Sequence, residues 1–219
     1  MFVKICGITT EEDGLLAVAL GADAVGFVFA PSPRQIAPQR AGEIARRLPP
    51  EVLTVGVFRD AAREHVAQTV NSARLRAAQL HGHESAESSQ WVSERVPVLI
   101  KAFAAGDKGL ATARDHGADI VMVDNGSPGS GQVFDWSLAE GAPDGVRLLL
   151  AGGLNADNVA DAIAAVHPWG VDVSSGVETS PGRKDPRKMR AFIAAARAAA
   201  PAPYEGGEEV PYDWQDDLL

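Results

Sequence analysis

A lone thiol, Cys6, lies in Lys4-Ile5-Cys6-Gly7-Ile8-Thr9, where a short apolar run gives way to glycine. Phe2, Val3 and Ile5 read as a buried strand, and Gly7 as the turn that stops it. A thiol at a strand's mouth serves as base or nucleophile once ionised. The competing reading is a small buried hydrophobe, the usual fate of a free cysteine. Arg34 follows Ala30-Pro31-Ser32-Pro33, whose two prolines limit the loop. A guanidinium held there suits a planar carboxylate, and a solvated surface arginine is the alternative. Asp124 ends the apolar run Val121-Met122-Val123 and precedes a glycine-rich stretch, a poor place for a packing residue. His81, in Gln79-Leu80-His81-Gly82, reads either as a hydrogen-bonding ligand group or as a loop histidine.

Two further clusters favour an anion. Ala151-Gly152-Gly153-Leu154 and Asp172-Val173-Ser174-Ser175-Gly176-Val177-Glu178 each bring glycines to the end of an apolar run. Glycine lets backbone approach a ligand closely, and consecutive N–H groups at a helix start bind phosphate. A thiol, a carboxylate, a cation and a phosphate site describe acid–base work on a phosphorylated substrate. Metal chemistry is disfavoured, because five histidines and one cysteine are scattered. His81 and His83 flank Gly82, but no third ligand accompanies them. A Cys–His nucleophile stays open, although nothing supplies an oxyanion hole beside Cys6.

These groups need a scaffold that gathers them. Strands are expected at residues 24–29, 52–58, 75–80, 96–103, 119–123, 146–150 and 171–173, after the first one. Alanine-rich amphipathic stretches at 37–48, 61–71 and 155–166 lie between them, so Asn155 is expected to open a helix. Gly21-Ala22-Asp23-Ala24-Val25 recurs as Gly117-Ala118-Asp119-Ile120-Val121, each read as a helix-closing glycine and a turn into a strand. Gly170-Val171-Asp172-Val173 is a looser echo. Eight strands alternating with helices predict an α/β fold, a single (β/α)8 TIM barrel over residues 1–200. The runner-up, an open doubly wound sheet, lacks the expected Gly-x-Gly-x-x-Gly after its first strand. In the barrel, residues after every strand converge on one face. Loops 7 and 8, the usual phosphate cradle, then carry the two glycine clusters.

Composition limits the partners. The formal charge of −9 includes six carboxylates between residues 204 and 219, and without them it falls to −3. No basic stripe for nucleic acid is present, and no apolar run spans a bilayer. Nothing at the N-terminus suggests export, and one cysteine fits a reducing compartment, so the cytoplasm is expected. Residues 201–219 read as an acidic, flexible extension; docking of its aromatics on the body or a partner is the alternative. Either a monomer or a homodimer fits.

The motifs taken together resemble one family. Lys4 through Thr9, Ser32-Pro33-Arg34, Gly56-Val57-Phe58, Gln79 through Gly82, Gly131 through Phe134-Asp135-Trp136, Leu150 through Leu154, and Asp172 through Glu178 with Pro181-Gly182-Lys184-Asp185 look like phosphoribosylanthranilate isomerase. The family's Gly-Gly-Thr/Ser-Gly run before a basic residue is here Pro128-Gly129-Ser130-Gly131 before Gln132. The resemblance implies a cofactor-free Amadori rearrangement in tryptophan biosynthesis. It implies Asp124 as general acid, Cys6 as base and Arg34 on the anthranilate carboxylate. It also implies Gly152, Gly153, Ser175 and Gly176 on the phosphate, with His81 and Asp172 touching substrate hydroxyl or amine. Two rivals are weighed: the isomerase of histidine biosynthesis, which resembles this pattern with an aspartate at the thiol's place, and a non-catalytic phosphate sensor on a decayed barrel.

Overall fold

A computed structural model describes residues 1–125, 142, 143 and 145–200. The glycine-rich stretch after Asn125, the Phe134-Asp135-Trp136 motif and the acidic tail lie outside the described residues.

Eight parallel strands close into a barrel in sequence order: β1 (Phe2–Cys6), β2 (Ala24–Val28), β3 (Leu53–Phe58), β4 (Ala77–Leu80), β5 (Val98–Ala104), β6 (Ile120–Asp124), β7 (Arg147–Leu150) and β8 (Gly170–Val173). Closure pairs Lys4 with Asp172 and Ile5 with Val173 across β1 and β8. Around the barrel run α1 (Glu11–Ala19), α2 (Pro38–Ala45), α3 (Arg63–Ala73), α4 (Ala86–Ser93), α5 (Val159–Val166) and α6 (Pro186–Ala198). A 3-10 segment, Lys108–His116, stands between β5 and β6.

The pleat sorts each strand into two populations. Val3, Ile5, Val25, Leu99, Val121, Leu150 and Val171 pack outward into the layer beneath the helices. Phe2, Leu53, Val55, Ile100, Met122 and Leu149 fill the barrel interior. Lys4 and Cys6 share the inward parity of Phe2 and are buried. Two steps of alternation therefore carry an ammonium and a thiol from β1 into the upper core.

The repeated Gly-Ala-Asp is one device used twice. Gly21 and Gly117 have φ of +99° and +64°, left-handed values that close the preceding helical segment. Asp23 then accepts the Val3 N–H, and Asp119 the Leu99 N–H, both at 2.7 Å. Each carboxylate thus ties a strand's entry to the strand before it. The third, looser echo behaves differently. Gly170 is already inside β8, and Asp172 points into the barrel towards Lys4. Asn155 also departs from expectation: its carboxamide oxygen accepts the N–H groups of Asp157 and Asn158 in a turn, and α5 begins only at Val159. An Asx turn satisfies those N–H groups without a helix.

The last helix is reached through a hairpin, β9 (Glu178–Ser180) and β10 (Arg183–Lys184), entered by a single 3-10 turn at Ser175–Val177. Thr9 donates to the Gly182 carbonyl at 2.7 Å, binding this hairpin to the first loop. Among the described residues, no helix is long and apolar enough to cross a membrane.

Candidate active site

The strand ends assemble one pocket, lined by Cys6, Arg34, Gln79, His81, Asp124 and Asp172 among others. Five of those side chains are ones the sequence puts forward as candidates, and the structure brings them together; Gln79 was not singled out.

On one wall, Cys6 is buried opposite Gly26 of β2. A Cβ at Gly26 would lie 2.8 Å from the Cys6 sulfur and 3.2 Å from the Lys4 ammonium. Only glycine leaves room for both groups over the same spot of β2. Gly7, at φ +79°, turns the chain away, and a Cβ there would strike Cδ of Arg34 at 2.7 Å. The guanidinium arm therefore lies across the glycine that ends β1.

Lys4 Nζ donates to Asp172 Oδ1 at 2.7 Å. Arg34 does meet a planar carboxylate through two hydrogen bonds, as its type suggested, but the carboxylate is Glu178: Nε to Oε1 at 2.9 Å and Nη2 to Oε2 at 2.8 Å. Lys184 Nζ adds a bond to Glu178 Oε1 at 2.8 Å and one to the Ser174 carbonyl at 3.1 Å. Three cations and two carboxylates thus surround one thiol, a local excess of one positive charge while the thiol stays neutral. Burial pushes the Cys6 thiol above its ordinary range, Lys4 and Lys184 pull it down, and Asp172 adds to the rise. Burial works against the Lys4 ammonium, yet Asp172 and the thiol outweigh it and hold that lysine above its ordinary value. Glu178 and Lys184 lay within the quoted motif, but nothing in their spacing marked them as inward partners. Only the hairpin's fold aims them at Arg34.

The opposite wall links a carboxylate, an imidazole and an amide. Asp124 Oδ1 accepts the Asn125 N–H at 2.7 Å, and Oδ2 meets His81 Nε2 at 3.1 Å. Gln79 Nε2 lies 2.8 Å from His81 Nδ1 and 3.4 Å from the Met122 sulfur. Gln79 is inward-facing on β4 and almost wholly buried. Gly152, at φ +90°, presses on this wall: a Cβ would come within 2.9 Å of Asp124 Oδ1 and 2.7 Å of the Asn125 nitrogen.

The two glycine clusters meet. A Cβ on Gly176 would fall 2.0 Å from the Leu154 carbonyl oxygen, so the ends of β7 and β8 interlock through the missing side chain. Gly153, Ser175 and Gly176 remain partly exposed at that junction. Asn158 steadies it by donating to the Gly153 carbonyl at 3.1 Å. Among the described residues, no group of three or more His, Cys, Asp or Glu side chains could hold a metal ion.

Comparison with known proteins gives a consistent picture. The model of the N-(5'-phosphoribosyl)anthranilate isomerase family matches residues 3–195. The enzyme of that name from Citrifermentans bemidjiense is 50% identical over 204 residues, covering 90% of this chain and 98% of that one. The crystal structure of the Thermus thermophilus phosphoribosyl anthranilate isomerase superposes with a TM-score of 0.83 at 42% identity, covering 90% of this chain and 99% of that one. A phosphoribosyl anthranilate isomerase in complex with reduced 1-(o-carboxyphenylamino)-1-deoxyribulose 5-phosphate gives 0.80 at 40% identity with the same coverage.

Proposed function

The chain belongs to the N-(5'-phosphoribosyl)anthranilate isomerase family and catalyses its Amadori rearrangement, and from that premise we propose which residues carry each step. The reaction, part of tryptophan biosynthesis, turns N-(5-phosphoribosyl)anthranilate into 1-(2-carboxyphenylamino)-1-deoxyribulose 5-phosphate. It moves protons and one electron pair within a single molecule, so no cofactor is needed.

Asp124 protonates the furanose ring oxygen, the C1–O bond breaks, and an iminium forms between C1 and the anthranilate nitrogen. The Cys6 thiolate then removes the proton from C2. The C–H electron pair becomes the C1=C2 bond of an enolamine, which tautomerises to the ketone. One observation carries this reading: Cys6 and Asp124 line a single pocket from β1 and β6, so acid and base reach different atoms of one substrate. The neutral thiol favoured by burial gains its charge where Lys4 and Lys184 leave a positive excess, and the iminium adds to it.

Arg34 has five N–H donors, and the pair with Glu178 engages two of them. Those remaining are available to the anthranilate carboxylate. Gly152, Gly153, Ser175 and Gly176 offer backbone N–H groups to the phosphate, supported by the interlocked ends of β7 and β8. His81 and Asp172 contact the sugar hydroxyls or the amine. Residues 1–200 are the catalytic domain, with 201–219 appended, and the cytoplasm is its setting, in keeping with a phosphorylated intermediate as substrate.

The test is the decay of substrate fluorescence with freshly made phosphoribosylanthranilate. Wild-type protein should turn it over, and Cys6→Ser should fold normally while losing at least ~10²-fold in turnover, the effect expected of a lost general base. Near-normal turnover in Cys6→Ser would overturn the assignment of the base.

A further inference from the structure

Among the described residues, one buried side-chain polar atom has no hydrogen-bond partner, and it is Oε1 of Gln79. The amide to which it belongs stands behind the acid, in the sequence Gln79–His81–Asp124. An unpartnered buried carbonyl is unfavourable, so something must hold the amide in this orientation.

The hydrogen-bond logic identifies the constraint. Gln79 Nε2 can only donate, so this amide orientation casts Nδ1 of His81 as the acceptor and requires the ring proton on Nε2. That proton is donated to Asp124 Oδ2, while Oδ1 takes the Asn125 N–H. Both oxygens then receive a donor, the arrangement that suits an unprotonated carboxylate. A general acid needs the opposite. With one more proton shared along the line from Nε2 to Oδ2, the imidazole bears hydrogen on Nδ1, whether the extra proton rests on the ring or on Asp124. An N–H on Nδ1 cannot face an amide NH2, so Gln79 must turn and present Oε1.

We propose that Gln79 is a positioning residue for the general acid, its amide turning over as the His81–Asp124 pair gains and loses the proton delivered to substrate. The proton enters the pair from solvent and leaves on the furanose ring oxygen; no electrons change hands. Turning over sacrifices only the contact with the Met122 sulfur, a weak acceptor. The turned amide puts its nitrogen where the unpartnered oxygen was. Each state thus leaves one end of the amide without a protein partner, and neither is a trap.

This inference rests on Asp124 as the acid, and its test separates the two. Histidine 15N NMR of the free enzyme should find His81 protonated on Nε2 and bare on Nδ1. Gln79→Glu, which only accepts, should move the hydrogen to Nδ1. Gln79→Leu, which does neither, should give a mixed tautomer, with kcat reduced about tenfold or more and KM within about threefold, the split that marks an interaction made in the transition state. An identical His81 spectrum in wild type and Gln79→Glu overturns the proposal, as does wild-type kcat in a folded Gln79→Leu. If Gln79→Leu does not fold, the Gln79→Glu spectrum decides alone. An active Asp124→Asn enzyme would instead remove the acid itself, whatever the His81 spectra show.

Discussion

The two walls of the pocket solve different problems with different materials. The base wall, from β8 through β1 to the loop after β2, is crowded with formal charge: Lys4, Arg34 and Lys184 against Asp172 and Glu178, the lysine and arginine partners all at 2.7–2.9 Å. The acid wall, from β4 to β6, is a thin chain of an amide, an imidazole and a carboxylate, with one amide end unpartnered. Burial pushes the deep thiol up, and in the proposed mechanism the fixed charges of Lys4 and Lys184 work against that push. In the proposed mechanism the Asp124 carboxyl loads and discharges a proton, and it needs partners that change with it. Rigid charge serves the first group, adaptable dipoles the second.

The largest effect should come from the acid wall's end point. Asp124→Asn keeps the shape, removes the proton donor, and should bring turnover to background while binding stays within a few-fold. Retained turnover would mean the two walls do not share the chemistry as described.

Next is Lys4→Met on the base wall. Because Lys4 holds the thiol down against burial, its loss should drive the thiol further up. Turnover at neutral pH should fall, and the rise of activity with increasing pH should shift to higher pH. Breaking a buried ion pair also costs about 3–5 kcal/mol when one partner is left charged. The double change Lys4→Met with Asp172→Asn should recover much of that stability, measured by denaturant unfolding, and because Asp172 itself raises the thiol, it should shift the pH profile less than Lys4→Met alone. A pH profile shifted as far in the double variant as in Lys4→Met would show that the field around Cys6 is not what sets its reactivity.

The smallest effect concerns Glu178. Burial alone would raise its carboxyl, but Arg34 and Lys184 outweigh it and hold the group below the usual carboxylate range. The folded protein therefore binds fewer protons there than the unfolded chain does. Its stabilising contribution is complete above about pH 4.3 and is lost as pH falls through the depressed folded value. Glu178→Gln should flatten the acid side of the melting temperature against pH, leaving the neutral plateau lowered. An unchanged acid limb would mean that the base wall's charges titrate together and not through Glu178.

The fold was readable because burial on both faces leaves near-continuous apolar runs, and these marked all eight strands to within a few residues. Asp23 and Asp119 announced themselves by repetition. Cys6 and Asp124 were visible as polar types at strand ends, where packing has little use for them. Lys4 could be placed beside Cys6 by parity. Gln79 could not be singled out, because an amide next to a histidine has no spacing that tells donor from acceptor. The partnership of Arg34 with Glu178 was equally hidden. It spans 144 positions and depends on a hairpin of five named strand residues, for which the sequence offers only Pro181-Gly182 as a turn. Asn155 misled because its side chain satisfies the N–H groups that a helix start would otherwise need.

The closing pair of the barrel has a temporal side. Lys4 and Asp172 are 168 positions apart, and Glu178 and Lys184 come later still. A chain emerging from the ribosome makes Cys6 well before these partners, while α/β domains of this kind gain their long-range pairings late. Until the final strand and hairpin arrive, the thiol lacks Asp172, Glu178 and Lys184 alike. The thiol therefore spends much of synthesis outside the ion-paired setting of the finished site, and that setting arrives together with the seam that completes the ring.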